Sequence, residues 1–342
     1  MRGSRRLRKA IGGLRRRFEP AGIILMYHRV ANLPSDPLSL AVSIEHFAQQ
    51  LDYVAGTCQP VRLSDLIVML QQGTLPKRAV AITFDDGYCD NYQNAYPLLV
   101  SRRIPATIFV TSDQIGSNQE FWWDDLERIL LLSPRLPSRL RLPIRSQELE
   151  WQLITAEDRQ GAYNTLHRAL KPLSPDERQG ILQQLTRWAD LSTKGRAGYR
   201  ALTRTELAEI AGCGLIEIGG HTRNHPQLAA LTVDAQQAEI SGGKQRLEEL
   251  TGGSVEVFAY PYGQAIDFTE DTVAVVRRAG FRAALTTIHG YVAPDDDIFR
   301  LRRCAVLDWD SNPFRRKLEE FFVIRDRTRS DRGIEAHRSG DE

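Results

Sequence analysis

Apolar residues along this chain fall into short unbroken runs, separated by longer stretches with helical spacing. The runs at 22–27, 79–84 and 106–110 each hold five or six apolar or small residues without alternation. Such runs suit strands buried on both faces. Further strands are predicted at 215–218, 255–260 and 283–287, with a closing region at 299–303. Between the early strands the spacing predicts a helix over 44–55. A second follows over 64–72, with Ser64 as N-cap and Gly73 as its end, and a third carries Tyr92, Tyr96, Leu98 and Leu99. Strand and helix alternate, which is the signature of a parallel sheet. From about 121 to 212 the pattern changes to helical stretches with charged faces, such as 123–130 and 175–182. This span reads as a helical insertion. Thr203 and Glu206 have the spacing of a capping box, opening a helix that ends near Gly212 and returns the chain to the sheet.

Length and charge narrow the picture. A barrel of alternating strands and helices takes about 250 residues, so 342 residues accommodate one such domain with an insertion. The expected division is a basic arm over 1–19, a domain over 20–320 interrupted at about 121–212, and a charged tail over 321–342, disordered from about Arg325. A hydrophobic fraction of 42% with 26% charged residues excludes collagen-like and largely disordered classes. Forty-five basic against 43 acidic residues leave a net charge of +2, which gives no reason to expect nucleic acid as a partner. The charge is uneven at the start, where Arg2, Arg5, Arg6, Arg8, Lys9, Arg15, Arg16 and Arg17 face only Glu19. The apolar stretch within this arm is too short for a secretory signal, and no run approaches a membrane span. A cytoplasmic protein is expected, with residues 1–18 either touching anionic lipid at the inner membrane face or forming a solvated, disordered tail. Cys58, Cys89, Cys213 and Cys304 lack metal or redox spacing and are expected to be reduced, buried small hydrophobes.

The chemistry gathers where strands end, the face on which barrel loops converge. The first run ends at His28, the second at Asp85-Asp86-Gly87, the fourth just before His221 and His225, and the fifth at Pro261-Tyr262-Gly263. Two adjacent aspartates after an apolar strand repel each other unless a cation neutralises one. Two histidines four apart, read as one side of a helical turn, can share an ion. Asp86, His221 and His225 then make a carboxylate and two imidazoles, a set suited to zinc that also accepts cobalt, nickel or iron(II). Such a centre can activate water against a carbonyl.

The segments Thr83-Phe84-Asp85-Asp86-Gly87, His221-Thr222-Arg223-Asn224-His225 and Tyr260-Pro261-Tyr262-Gly263 together resemble the first three motifs of the polysaccharide deacetylase, or NodB-like, family of carbohydrate esterases. Order and spacing agree over about residues 20–320, much of the insertion excepted. The resemblance implies a deformed (β/α) barrel and hydrolysis of N-acetyl groups on the amino sugars of a polysaccharide, oligosaccharide or glycan precursor, as in exopolysaccharide biosynthesis. It implies Asp85 as general base, Asp86, His221 and His225 as ligands of a divalent metal, and the Tyr262 backbone N–H as oxyanion donor. Two features depart from the family. Ala259 stands where an arginine usually orients the base, leaving Arg300, Arg302 and Arg303 as substitutes. The general acid, usually a histidine of a C-terminal motif, is the second departure, since His289 in that part of the chain sits beside Gly290 and the acidic run 295–297. Leu25-Met26-Tyr27-His28 resembles that motif moved to the front, as in circularly permuted members, and makes His28 the expected acid. Trp122 and Trp123 either stack on sugar or anchor the insertion. The rival readings are an amidohydrolase of a non-sugar C–N bond, a carbohydrate-binding relative with a vestigial site, and a membrane-associated scaffold.

Overall fold

The computed structural model describes residues 22–145 and 147–322. The basic arm, and the tail beyond Phe322, lie outside them. Seven parallel strands close into a barrel: β1 (Ile23–Tyr27), β5 (Ala79–Phe84), β6 (Ala106–Val110), β9 (Ile216–Gly220), β10 (Val257–Ala259), β11 (Ala283–His289) and β12 (Leu301–Ala305). β1 makes the closure, pairing in parallel with β12 on one side and with β5 on the other. Every residue of β1, β5 and β6 is buried, as expected of strands covered by helices outside and by side chains within. Short strands β2 (Arg29–Val30) and β3 (Ala41–Val42) form a separate parallel pair, and β4 (Gln59–Pro60) flanks the start of β5.

Helices α1 (Ile44–Thr57), α2 (Leu63–Gln72) and α3 (Tyr96–Arg102) precede β6. The α2 boundary differs from expectation. Arg62 occupies the N-cap position without a side-chain cap, while Ser64 lies inside the helix and its hydroxyl donates to Glu217. The helix expected around Tyr92 begins as a π-type turn over Asn91–Ala95.

Between β6 and β9 come α4 (Trp122–Leu130), an antiparallel hairpin of β7 (Arg139–Ile144) and β8 (Gln147–Gln152), then α5 (Ala156–Leu170), α6 (Pro175–Trp188) and α7 (Arg204–Gly212). The hairpin departs from the all-helical expectation. Its β7 strand alternates exposed and buried residues, the period-two pattern of a one-sided sheet. Thr203 and Glu206 do form a capping box on α7. Helices α8 (Val233–Thr251) and α9 (Glu270–Arg278) complete the outer layer. Among the described residues no helix is long and apolar enough to cross a membrane. The cysteines are free, but Cys213 is exposed and Cys58 half-buried, so only Cys89 and Cys304 behave as buried hydrophobes. Cys213 follows directly on α7, where the helix ends toward solvent.

Candidate active site

The carboxyl ends of the strands frame a cleft of about 390 Å³, lined by His28, Asp85, Asp86, His221, His225 and Tyr262 among others. β5 delivers both aspartates, β9 the two histidines, β10 the tyrosine and β1 His28. Strain concentrates here. Asp86, Thr222, His225 and Tyr262 all have positive φ, at 74°, 65°, 52° and 60°. Left-handed backbone at a non-glycine residue costs about 1–3 kcal/mol and persists only where the surroundings enforce it. His221 and His225 accordingly do not sit on a helical turn. They lie on a loop, folded by the His225 N–H donating to Thr222 Oγ1 at 3.0 Å and by the Ser112 N–H donating to the Thr222 carbonyl.

Asp86, His221 and His225 each offer a ligand atom, all within 4.8 Å of one another. Asp86 Oδ1 is 3.5 Å from His221 Nε2 and 3.4 Å from His225 Nε2. His221 Nδ1–H donates to the Ala259 carbonyl at 2.7 Å, which leaves the Nε2 lone pair facing Asp86. Burial pulls the His221 pKa down, but the neighbouring carboxylates of Asp86 and Asp85 more than reverse it. Burial first, then the neighbouring His221, Arg178 and His28, hold His225 well below its ordinary value. Asp86 Oδ1 is buried without a hydrogen-bond partner. A buried carboxylate oxygen in that state is costly unless a cation completes it. Carboxylate, two imidazoles and an orphaned oxygen together fit a divalent cation.

Asp85 is gripped from β12, the strand on the far side of β1 from β5. Arg303, fully enclosed on β12, places Nη1 2.7 Å from Oδ1 and Nη2 2.7 Å from Oδ2. The same guanidinium donates to Thr83 Oγ1 and, through Nε, to the Thr286 carbonyl. Burial raises the Asp85 pKa, yet Arg303, with His221 and His28, overrides it and brings the carboxyl down to about 2. Of the three arginines offered as substitutes at the Ala259 position, Arg303 alone reaches Asp85. Arg300 pairs with Glu270 and Asp297, and the Arg302 side chain is exposed.

His28 faces Asp85 across the cleft, with Nε2 3.9 Å from Oδ2 and a fifth of its side chain exposed. His289 is exposed against Phe321 and does not line the cleft. The Tyr262 ring packs on His225 at 4.6 Å, and its hydroxyl accepts from Trp122 Nε1 at 3.2 Å. Burial pushes its pKa up to about 12, so the phenol stays protonated. Both tryptophans are buried. Trp122 lies under His167 on the insertion, while Trp123 lines the cleft, packs on His225 at 4.8 Å and donates to the Tyr88 hydroxyl. Sequence reading missed His167, Lys171 and Asp267 as cleft residues. Their only signal is the four-residue spacing of His167 and Lys171, which on a helix is ordinarily uninformative.

Fold and site define a barrel with a candidate cation site of one carboxylate and two imidazoles beside an arginine-held carboxylate. Comparison with known proteins fixes the family. The model of the polysaccharide deacetylase family matches residues 72–135 and 185–284. The chain belongs to that family, hydrolases of a non-peptide carbon–nitrogen bond. The protein YxkH of Bacillus subtilis is 24% identical over 285 residues, covering 83% of this chain and 70% of its own. A poly-β-1,6-N-acetyl-D-glucosamine N-deacetylase of Staphylococcus epidermidis is 32% identical over 112 residues, 28% of this chain and 38% of that protein. The structure of IcaB from Ammonifex degensii superposes with a TM-score of 0.56 at 22% identity, over 88% of this chain and 96% of that one. It shares the fold.

Proposed function

We propose that this protein removes acetyl groups from the N-acetylglucosamine units of a polysaccharide, with a divalent cation, zinc by preference, at Asp86, His221 and His225. The observation that carries the reading is the adjacency on one strand end of an ionised carboxylate held by Arg303 and a second carboxylate with an unpaired oxygen facing two imidazoles. The local similarity to the Staphylococcus epidermidis enzyme supports the sugar class.

A cation so held supplies Lewis acidity and lowers the pKa of water toward about 7. Asp85, ionised at any working pH, takes the proton of the attacking water, and Arg303 fixes its carboxylate plane for that transfer. In this reading the backbone N–H of Tyr262, a cleft residue of positive φ, holds the charge that develops on the acetyl oxygen. His28, across from Asp85, passes a proton to the departing amine as the carbon–nitrogen bond breaks. Acetate and the free amino sugar result.

Acetate release from N-acetylglucosamine oligomers tests this, comparing zinc-loaded native protein with Asp85→Asn, His28→Ala and Asp86→Asn. Each variant is expected to lose at least about a hundredfold in kcat/KM, and Asp86→Asn to lose zinc binding by calorimetry as well. Full activity in Asp85→Asn, or no acetate from the native protein, would overturn the reading.

A further inference from the structure

Helix α5 of the insertion ends beside the cleft and contributes two side chains to its wall. His167 and Lys171, four residues apart and so on one face of the last turn, both line it. Lys171 Nζ pairs with the fully buried Asp267 carboxylate at 2.6 Å and stands 4.4 Å from the centre of the Tyr262 ring. That ring in turn packs on the candidate ligand His225. His167 lies nearly flat on Trp122, with 4.8 Å between ring centres and 21° between planes. Among the described residues, neither of its ring nitrogens is hydrogen-bonded within the protein. His167, Lys171 and Asp267 have no part in the mechanism above.

Their chemistry selects one kind of ligand. Burial, then the charges of Lys171 and Arg178, brings the His167 pKa down to about 4. At neutral pH it offers one N–H donor and one lone pair, a match for a hydroxyl group, which both donates and accepts. An anion is poorly served, since His167 is uncharged and Lys171 is already neutralised by Asp267. The distance also matters. One aromatic ring, that of Tyr262, bridges Lys171 and His225, and a pyranose ring is of comparable breadth. A sugar whose acetamido group meets Asp85 and Asp86 therefore has its chain neighbour at α5. We infer that His167 and Lys171, backed by Trp122, form a hydroxyl-recognition subsite for the sugar unit adjoining the one being deacetylated. This rests on the deacetylase reading above.

The test measures kcat/KM for acetate release from a single N-acetylglucosamine and from its β-linked trimer and pentamer, with zinc-loaded native, His167→Leu and His167→Gln proteins. The native enzyme is expected to gain in kcat/KM with chain length. His167→Leu should cut that gain about tenfold, mainly through KM, the size expected for one lost hydrogen bond. His167→Gln, which keeps a donor and an acceptor, should recover most of it. Lys171→Met should cut the gain similarly, although unpairing buried Asp267 makes the His167 variants the deciding ones. Equal losses on the single sugar and the pentamer would make His167 a prop for Trp122 and Tyr262, and would overturn the subsite. So would an unchanged gain in His167→Leu. No acetate from any sugar with native protein would instead sink the deacetylase reading, and the subsite with it.

Discussion

The grip of Arg303 on Asp85 shows how one residue's role can move across a barrel. Ala259 cannot orient a carboxylate, and the guanidinium that does so arrives from a strand more than forty residues later in the chain. Its two parallel N–H···O bonds set the plane of Asp85 as well as its charge, which a lysine ammonium cannot do. Arg303→Met would leave a fully buried carboxylate with no guanidinium, a class of change that costs about 3–5 kcal/mol. Urea unfolding should show a loss of that order, and acetate release should fall more than about tenfold even where the variant is folded. Arg303→Lys should recover part of the stability and little of the rate. Native-like stability in Arg303→Met would mean that the pair contributes little to holding the barrel. The same arginine marks where sequence reading stopped. Arg300, Arg302 and Arg303 look alike in a charged run, and only the inward register of β12, between buried Leu301 and Cys304, separates Arg303 from the rest.

At the scale of elements, the barrel was legible because a strand enclosed on both faces must be apolar throughout, and such runs stand out. β10 and β11 differ from expectation only at their ends, β10 being shorter on both sides and β11 running two residues further, to His289. The hairpin was not read, although Arg139, Leu140, Arg141 and Leu142 alternate as a one-sided strand should. Charged residues amid helical neighbours hid a period of two. The two histidines were found through their spacing but assigned the wrong backbone, because a loop of positive-φ residues has no periodicity to announce it. Just ahead of that loop, Gly219 on β9 is set by packing. A Cβ there would run into the ring of Phe109 and lie 3.2 Å from the Val257 carbonyl. Phe109 is fully buried, and its ring lies 5.6 Å from the Arg303 guanidinium, so the clash would propagate toward Asp85. Gly219→Ala should destabilise the fold by about 1–3 kcal/mol, as overpacking does, and should lower kcat more than KM. A neutral result on thermal unfolding would mean that Phe109 moves aside freely.

For the whole molecule, the junction between the barrel and the 121–212 segment sets a buried charge network into a continuous apolar core. Arg29, 1% exposed, donates to Asp90, stacks on Tyr88 and Tyr199, and has Nη1 3.8 Å from Asp124 on α4. Asp124 accepts from the Tyr88 hydroxyl at 2.7 Å, and that hydroxyl accepts from Trp123, which packs on His225. The cleft wall is thus tied to the docking of the insertion. Glu120 and Glu127 lie nearby, paired with Arg196, and add negative charge. Burial chiefly, helped by those two glutamates and opposed by Arg29 and the Tyr88 hydrogen bond, pushes the Asp124 pKa up to about 8 from 3.8. The sign follows from proton counting. Between those two values the folded chain keeps a proton that the unfolded chain has released, so stability must fall as pH rises through the window. A gap of about four units corresponds to a penalty on the order of 5 kcal/mol once pH exceeds the folded value. Asp124→Asn keeps an acceptor for Tyr88 and removes the titration. Urea unfolding at mildly acidic, neutral and mildly alkaline pH should show native stability declining with pH, and Asp124→Asn declining less and overtaking it on the alkaline side. Parallel curves for the two proteins would mean that Arg29 keeps Asp124 ionised, making the junction an ordinary ion pair. A flatter curve in the variant would make docking of the insertion, and with it the Trp123 contact to His225, depend on a proton held far from the reacting atoms.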